Sequence, residues 1–471
     1  MGLIRLPLLW VRCTILDVPG ADVDDKVPHG SLGARHVALK LRNDDLPSVS
    51  LVELAIDHLR CIERAELGLH PGLNLFWGGN GSGKTSLLEA MFLLGRGRSF
   101  RTRNSERLIR YGQDRLVVFG RTGGFQADGC GSSLEVGFTS DTSAAIQGEL
   151  RGGSVKPLPE DGVSERAGSS DESPVARGTY AAAVQSYELG FAGRHLFGQS
   201  LGVQVSRTGG TIARINGANP KSLTELTQIF PVQVIDPGVH KLVEEGGHRR
   251  RRWMDWAVFH VEHQFGDWWL RYTRALKQRN AALRAHPAQA GVWDSELIRL
   301  GELIAAARER FVDGLQPYWK QTVNALSGLQ PELHYFKGWA QESSLAEALA
   351  ASKVRDESRR ITHPGPHRAD VIVRMKGRPA REVLSRGQQK LVAVAMTLAQ
   401  LHLLKVATQT TSTLLLDDPA AELDGEHLSR FIEQVLRLKS QLIVTSLQPE
   451  SRLFGSPDRV FHVEQGRVKP A

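Results

Sequence analysis

Apolar and polar positions begin to alternate at Leu51 and continue, with breaks, to Trp77. Leu51, Glu53, Ala55 and Asp57 alternate with Val52, Leu54, Ile56 and His58, the period of a strand. A second run covers Ala65–Leu69, His70-Pro71-Gly72 reads as a turn, and Leu73–Trp77 is apolar enough for a short buried strand. The period then changes. Leu87, Leu88, Met91, Phe92 and Leu94 recur at helical spacing, and that helix is expected to end near Gly95. Leu116–Arg121 reads as a further strand.

Periodicity is lost over residues 123–198, where Gly, Ser, Pro and acidic residues crowd together. Such a composition buries too little apolar area to offset the entropy of ordering, so an insertion with a disordered centre is expected there. Strand patterns resume at Leu201–Val205 and Ile212–Ile215, with Asn216-Gly217 expected to turn the hairpin, and Pro231–Ile235 follows as an apolar strand. Trp253, Trp256, Ala257, His260 and Val261 open a helix expected to run to Ala285, where His286-Pro287 breaks it. A second helix covers 292–327 with Leu297, Leu300, Ile304, Ala307 and Phe311 on one face, and Pro317 predicts a kink or break. Two helices of that size, each about 45 Å long, form an antiparallel hairpin arm. The expected organisation is an extension without assigned fold at 1–50, a first core part at 51–246, the arm at 247–330, and a second core part at 331–471.

Composition adds little until charge is considered. The 471 residues are 41% hydrophobic and 23% charged, ordinary for a globular chain, which excludes a low-complexity or fibrous class. A net charge of +8 favours a polyanionic partner, nucleic acid first. Cys13, Cys61 and Cys130 have neither metal nor disulfide spacing, which points to a reducing, cytoplasmic setting. Ile4–Val11 is too short an apolar run for a membrane span, and no convincing cleavage site follows it. No membrane partner is expected.

The strand-to-helix switch at Trp77 carries the chemistry. Gly78-Gly79-Asn80-Gly81-Ser82-Gly83-Lys84-Thr85 matches the P-loop pattern and lies between the strand and the helix that pattern requires. Glycines let the backbone aim N–H groups at phosphate oxygens, Lys84 reaches the β- and γ-phosphates of ATP, and the Thr85 hydroxyl suits Mg²⁺. A second apolar strand, Thr413–Leu416, ends in Asp417-Asp418. Asp417 suits Mg²⁺, and Asp418 suits the attacking water as a catalytic base. Ser385 is a natural N-cap for a long helix over about 388–404. The arginines at the loop Gly97–Arg101 admit two readings, phosphate contacts or a solvated helix end. So do Arg249, Arg250, Arg251 and Arg252: a candidate DNA patch, or a helix start whose unfavourable dipole term an acidic neighbour offsets.

Together the P-loop, Asp417-Asp418 and LSRGQQK (Leu384–Lys390) resemble an ABC-type ATPase head: α/β, with a mixed sheet, flanking helices and an inserted helical hairpin arm. LSRGQQK resembles the ABC signature, with Arg386 where that signature has its first glycine. The resemblance assigns Ser385, Gly387 and Gln388 to the ATP held by a second subunit, and so implies head-to-tail dimerisation. NGSGKTSLLEA, GRSFRT, LKQRNAALR, GPHRAD, LSRGQQK and DDPAAELD, in this order, resemble the bacterial RecF family, allied to the SMC ATPases. The match runs from Leu51 to Ala471 without the insertion. It implies ATP-dependent dimerisation and DNA binding. It also implies help in loading recombinase onto gapped DNA with RecR and RecO, and support of the SOS response. Gln233 is the candidate lid glutamine. Asp418 replaces the usual glutamate, and Thr445-Ser446 stands where transporters keep a histidine, so slow, DNA-stimulated hydrolysis is expected. The rival readings are an architectural DNA clamp and a transporter motor subunit.

Overall fold

The computed structural model describes residues 49–123, 198–421, 423–449 and 453–471. The extension at 1–50, save its last two residues, and the insertion at 123–198, save its edges, lie outside the described residues, as do Cys13 and Cys130.

Along the chain the strands are β1 (Ser50–Leu59), β2 (Ile62–Gly68), β3 (Leu73–Trp77), β4 (Arg115–Gly123), β5 (Ser200–Ser206), β6 (Gly210–Ile215), β7 (Val232–Ile235), β8 (Glu332–Phe336), β9 (Asp370–Met375), β10 (Arg378–Pro379), β11 (Thr413–Leu416), β12 (Leu442–Ser446), β13 (Arg459–Glu464) and β14 (Arg467–Pro470). The main helices are α1 (Lys84–Arg96), α2 (Thr224–Ile229), α3 (Gly247–Val261), α4 (Phe265–Ala285), α5 (Asp294–Ser327), α6 (Leu345–Arg359), α7 (Arg386–Thr408) and α8 (Gly425–Arg437).

The strands make three sheets. One is antiparallel with order β2-β1-β4-β5-β6, one is the small β10-β9-β8, and the third is β14-β13-β3-β12-β11-β7. In the third sheet β13, β3, β12, β11 and β7 are parallel and only β14 runs against them. Parallel strands covered on both faces read as unbroken apolar runs. In β11, Leu414 and Leu416 face a core built with α3, α5, α7 and α8, while Leu415 faces the core shared with α1 and the antiparallel sheet. Helix α1 therefore lies between two sheets, which accounts for its nearly complete burial. Gln441 joins the two sheets. It accepts from Leu51 N at 2.8 Å and donates to Leu51 O at 2.7 Å and His70 O at 2.8 Å.

Three local expectations need correction. Asn216-Gly217 does form a tight turn with positive φ at both residues, but it follows β6. The β5–β6 hairpin turns instead at Arg207–Gly209. The helix expected from Trp253 to Ala285 is two helices, α3 and α4, because their packing partners differ. Trp253, Met254 and Trp256 pack into the head, whereas Arg271 and Arg279 of α4 pair with Glu296 and Asp294 of α5. Helix α5 runs unbroken through Pro317 over 34 residues, about 51 Å at 1.5 Å per residue. Its C-terminal half, with Phe311, Leu315, Trp319 and Val323, is buried in the same core as α7. Helix α7 is long and apolar enough to span a membrane, but 67% of its apolar window is buried in the protein core, so its hydropathy is that of a core helix.

Candidate functional site

The site forms at the carboxyl rim of the parallel sheet, where strand topology gathers chain ends. Strand β3 ends at Trp77 and the chain enters the P-loop. Gly78 has no room for a side chain, since a Cβ there would stand 2.1 Å from Val463 O. Gly81 and Gly83 have φ of 76° and 116°, which other residues adopt only with strain. Added Cβ atoms at Gly79 and Gly81 would meet nothing within 4 Å, so this face of the loop is open. The Lys84 ammonium donates to Gly78 O at 2.6 Å and Gly79 O at 2.9 Å. Burial lowers its pKa, and the nearby Asp418 and Asp417 oppose that shift. Ser82 Oγ is buried without a partner, an orphaned hydroxyl inside the loop.

Thr85 and Asp417 meet across the rim. The Thr85 hydroxyl stands 3.2 and 3.0 Å from the two Asp417 oxygens. A hydroxyl and a carboxylate converging from a P-loop and the next strand end are hard oxygen donors of the kind Mg²⁺ takes, so the residues present fit that ion. Thr445 near the end of β12 bonds both aspartates, one through its carboxylate and the other through its main chain. Its hydroxyl donates to Asp417 Oδ1 at 2.9 Å and accepts from Asp418 N at 2.9 Å. Asp418 sits in the left-handed region at φ 48°, a costly conformation for a non-glycine residue.

The helix starting after Ser385 is capped on both sides. Ser385 Oγ accepts from Gln388 N at 3.3 Å, and Gln388 Oε1 accepts from Ser385 N at 3.0 Å. Ser385, Arg386, Gly387 and Gln388 are all exposed, and a Cβ on Gly387 would meet nothing within 4 Å. This end of α7 is thus preformed and open.

Two sequence-predicted groups are placed elsewhere than expected. Gln233 lies in mid-strand, opposite Leu414, and does not reach the rim. Its amide is spent in a buried relay: its Oε1 accepts from Arg96 at 2.9 Å, and its Nε2 donates to Gln400 at 2.9 Å. The rim residue after β7 is Asp236, whose pKa is raised by burial and by Asp417. The arginine run does not form one exposed patch either. Arg250 is buried and bidentate to Asp370, at 2.8 Å on each oxygen, with further bonds to Leu242 O, Val243 O and Glu245 O. Arg251 donates to Ala369 O at 2.6 Å, and Arg249 pairs with Glu245. Only Arg252 is left without such a partner among these four. Asp370 and Ala369 belong to the GPHRAD loop, which therefore buttresses the start of α3.

Sequence reasoning missed Thr445 as a clamp and read it only as the position where transporters keep a histidine. It also missed Glu89, fully buried, which binds Arg60 and accepts from Ser99 Oγ at 2.6 Å. Only the glutamate's position in the LLEA run after the P-loop hinted at it.

Comparison with known proteins agrees with this geometry. Residues 194–469 match the family described as RecF/RecN/SMC N terminal domain, and residues 53–138 match an AAA domain family. The DNA replication and repair protein RecF of Cellvibrio japonicus is 33% identical over 432 residues, covering 89% of this chain and 99% of the relative. That of Pseudomonas putida is 32% identical, covering 89% and 98%. The fold is shared with solved structures of the recombination mediator protein RecF, one with ATP, at TM-score 0.69 and 20% identity over 92% of this chain and 100% of the other. A second, with an ATP analogue, has TM-score 0.67 and 20% identity over 90% and 99%.

Proposed function

The chain belongs to the RecF family of DNA replication and repair proteins, and on that premise we propose that it is an ATP-driven switch which closes as a dimer on DNA. The observation that carries this reading is the gathering of Lys84, Thr85, Asp417 and Asp418 at one rim. The loop Gly78–Gly83 cradles the phosphates with its backbone N–H groups and the Ser82 hydroxyl. Lys84 exchanges the Gly78 and Gly79 carbonyls for phosphate oxygens. Thr85 and Asp417 would hold Mg²⁺, which when bound neutralises charge building on the β- and γ-phosphate oxygens. Asp418, held by Thr445, accepts a proton from the attacking water. Its carboxylate is one methylene shorter than the usual glutamate, and Thr445-Ser446 brings no imidazole, so turnover is slow.

The open, capped end of α7 is suited to a γ-phosphate on a second copy, through Ser385, Gly387 and Gln388. A phosphate gripped by both copies couples nucleotide state to dimerisation. DNA, RecR and RecO are the partners proposed by family membership, in the cytoplasm, for loading recombinase at gaps. The transporter reading has no observation in its favour. The deciding measurement is sedimentation velocity with and without ATP and Mg²⁺. The wild type dimerises with ATP, and Ser385→Arg binds ATP yet stays monomeric. A wild type that is monomeric under every nucleotide overturns the switch.

A further inference from the structure

A cavity of about 160 Å³ lies beside the nucleotide site, between the loop after α1, the segment after β7 and the first turns of α3. Arg96, Arg98, Arg249 and Arg252 converge on it, with Asp236 and Trp253 among the other walls. Among the described residues, the fully buried arginines have carboxylates: Arg250 has Asp370, Arg279 has Asp356 and Asp294, and Arg308 has Asp255. At the cavity the arginines lie nearer the surface, Arg98 exposed and Arg249 and Arg252 half-buried, and direct pairs are fewer. Among the described residues, Arg98, Arg252 and neighbouring Arg103 make no ion pair or hydrogen bond through their side chains. Arg249 has only Glu245 at the rim, and Arg96 spends its donors on Val232 O and Gln233.

The crowding has a measurable cost. Arg252 is pushed down to about 10 by burial first, then by Arg98, Arg249 and Arg103. His248 is lowered too, by burial and then by Arg252, Arg103, Arg251 and Arg98. The carboxylates that face this cluster are Asp255 toward Arg98, Asp236 toward Arg249, and Glu245 toward Arg249 and Arg252. Guanidiniums gathered around one cavity fit a tetrahedral oxyanion.

We infer that this cavity seats a backbone phosphate of the bound DNA, held by Arg98 and Arg252 with Arg249 and Arg103 at its edge. The inference rests on the DNA-binding reading above and replaces the continuous arginine run with a contact assembled from two distant segments. The loop bearing Arg98 is latched to the P-loop helix, because Ser99 Oγ donates to Glu89 and accepts from Arg101 N and Thr102 N. An anion seated there also sits next to Asp236 and, through it, Asp417. The DNA contact and the nucleotide site therefore share a wall.

The test is the affinity of the full chain, with ATP and Mg²⁺, for a fixed duplex and for gapped DNA over a salt series. Arg98→Gln/Arg252→Gln lowers the steepness of log K against log salt by about one, uniformly across sequences. Affinity for a fluorescent ATP analogue is unchanged. Arg98→Gln/Arg103→Gln, confined to the exposed loop, shifts the slope the same way and guards against misfolding, while Arg98→Lys/Arg252→Lys keeps it. An unchanged slope in both glutamine variants, with wild-type DNA binding intact, overturns this inference alone. Loss of nucleotide affinity with the slope retained assigns the cavity to the nucleotide's own phosphate and overturns it as well. A wild type that binds no DNA overturns both this inference and the function it rests on.

Discussion

Arg250→Met separates a structural arginine from a DNA-contacting one. The native side chain gives its Nε and Nη2 to the two Asp370 oxygens and its Nη1 to three main-chain carbonyls. Methionine replaces the stem but none of the donors. Asp370 then keeps a single hydrogen bond, from Val371 N at 2.8 Å, and stays mostly enclosed with 20% of its side chain exposed. Removing one partner of such a pair costs about 3–5 kcal/mol, chiefly because the other charge is left buried. That is a large share of the ~5–15 kcal/mol that keeps a domain folded. Urea unfolding followed by tryptophan fluorescence reads the loss directly, since Trp253 and Trp256 lie on the same helix. Asp370→Leu alone should cost less than Arg250→Met, and Arg250→Met/Asp370→Leu should recover much of the deficit, because no charge remains unpaired. A stability within about 0.5 kcal/mol of wild type, together with weakened DNA binding, would refute the reasoning and return Arg250 to the nucleic acid.

Further outcomes follow from the same geometry. Lys84→Met abolishes ATP binding, measured by calorimetry, while leaving the fold intact, since methionine keeps most of the apolar stem and gives up only two bonds to loop carbonyls. Asp418→Asn keeps ATP binding and dimerisation but slows phosphate release by about 10²–10⁴-fold; undiminished turnover would remove Asp418 as the base. Thr445→Val preserves volume but removes the bonds to the Asp417 carboxylate and the Asp418 N–H, so the Mg²⁺ concentration needed for half-maximal activity rises, and a magnesium titration checks it. Burial lowers His260 to about 3, helped by Arg96, and His367 to about 4, opposed by its bond to Thr362. Both are neutral when folded and take up protons on unfolding. Stability is therefore complete above about pH 6.5 and falls as pH drops toward 4, by at most ~1.4 kcal/mol per pH unit per site. His260→Leu flattens that decline in chemical denaturation at pH 5.

What the sequence disclosed and what it hid divide along physical lines. The P-loop, the Asp417-Asp418 strand end and the Ser385 cap were legible because each needs only neighbours within about ten residues and a local change of period. Gln233 was misplaced because its depth in the sheet depends on register with Leu414, which no local pattern carries. The break between α3 and α4 has only Gly266, in the first turn of α4, to announce it, and the two helices face different partners. The Arg250–Asp370 pair spans 120 positions. The cationic cavity joins residues near 98 to residues near 250, and neither stretch alone distinguishes a lone guanidinium from a paired one.

Gln441 has a mechanical consequence. Its side chain holds both polar groups of Leu51 and also takes the Thr413 hydroxyl at 2.9 Å, all in the dry interior. Sliding one sheet past the other would strip these bonds where no solvent can replace them. The pair of sheets is therefore a rigid chassis, with the P-loop helix clamped inside it like an axle. Whatever hinging accompanies the nucleotide cycle falls to the other face of the parallel sheet, where α7 and the long α5 lie side by side.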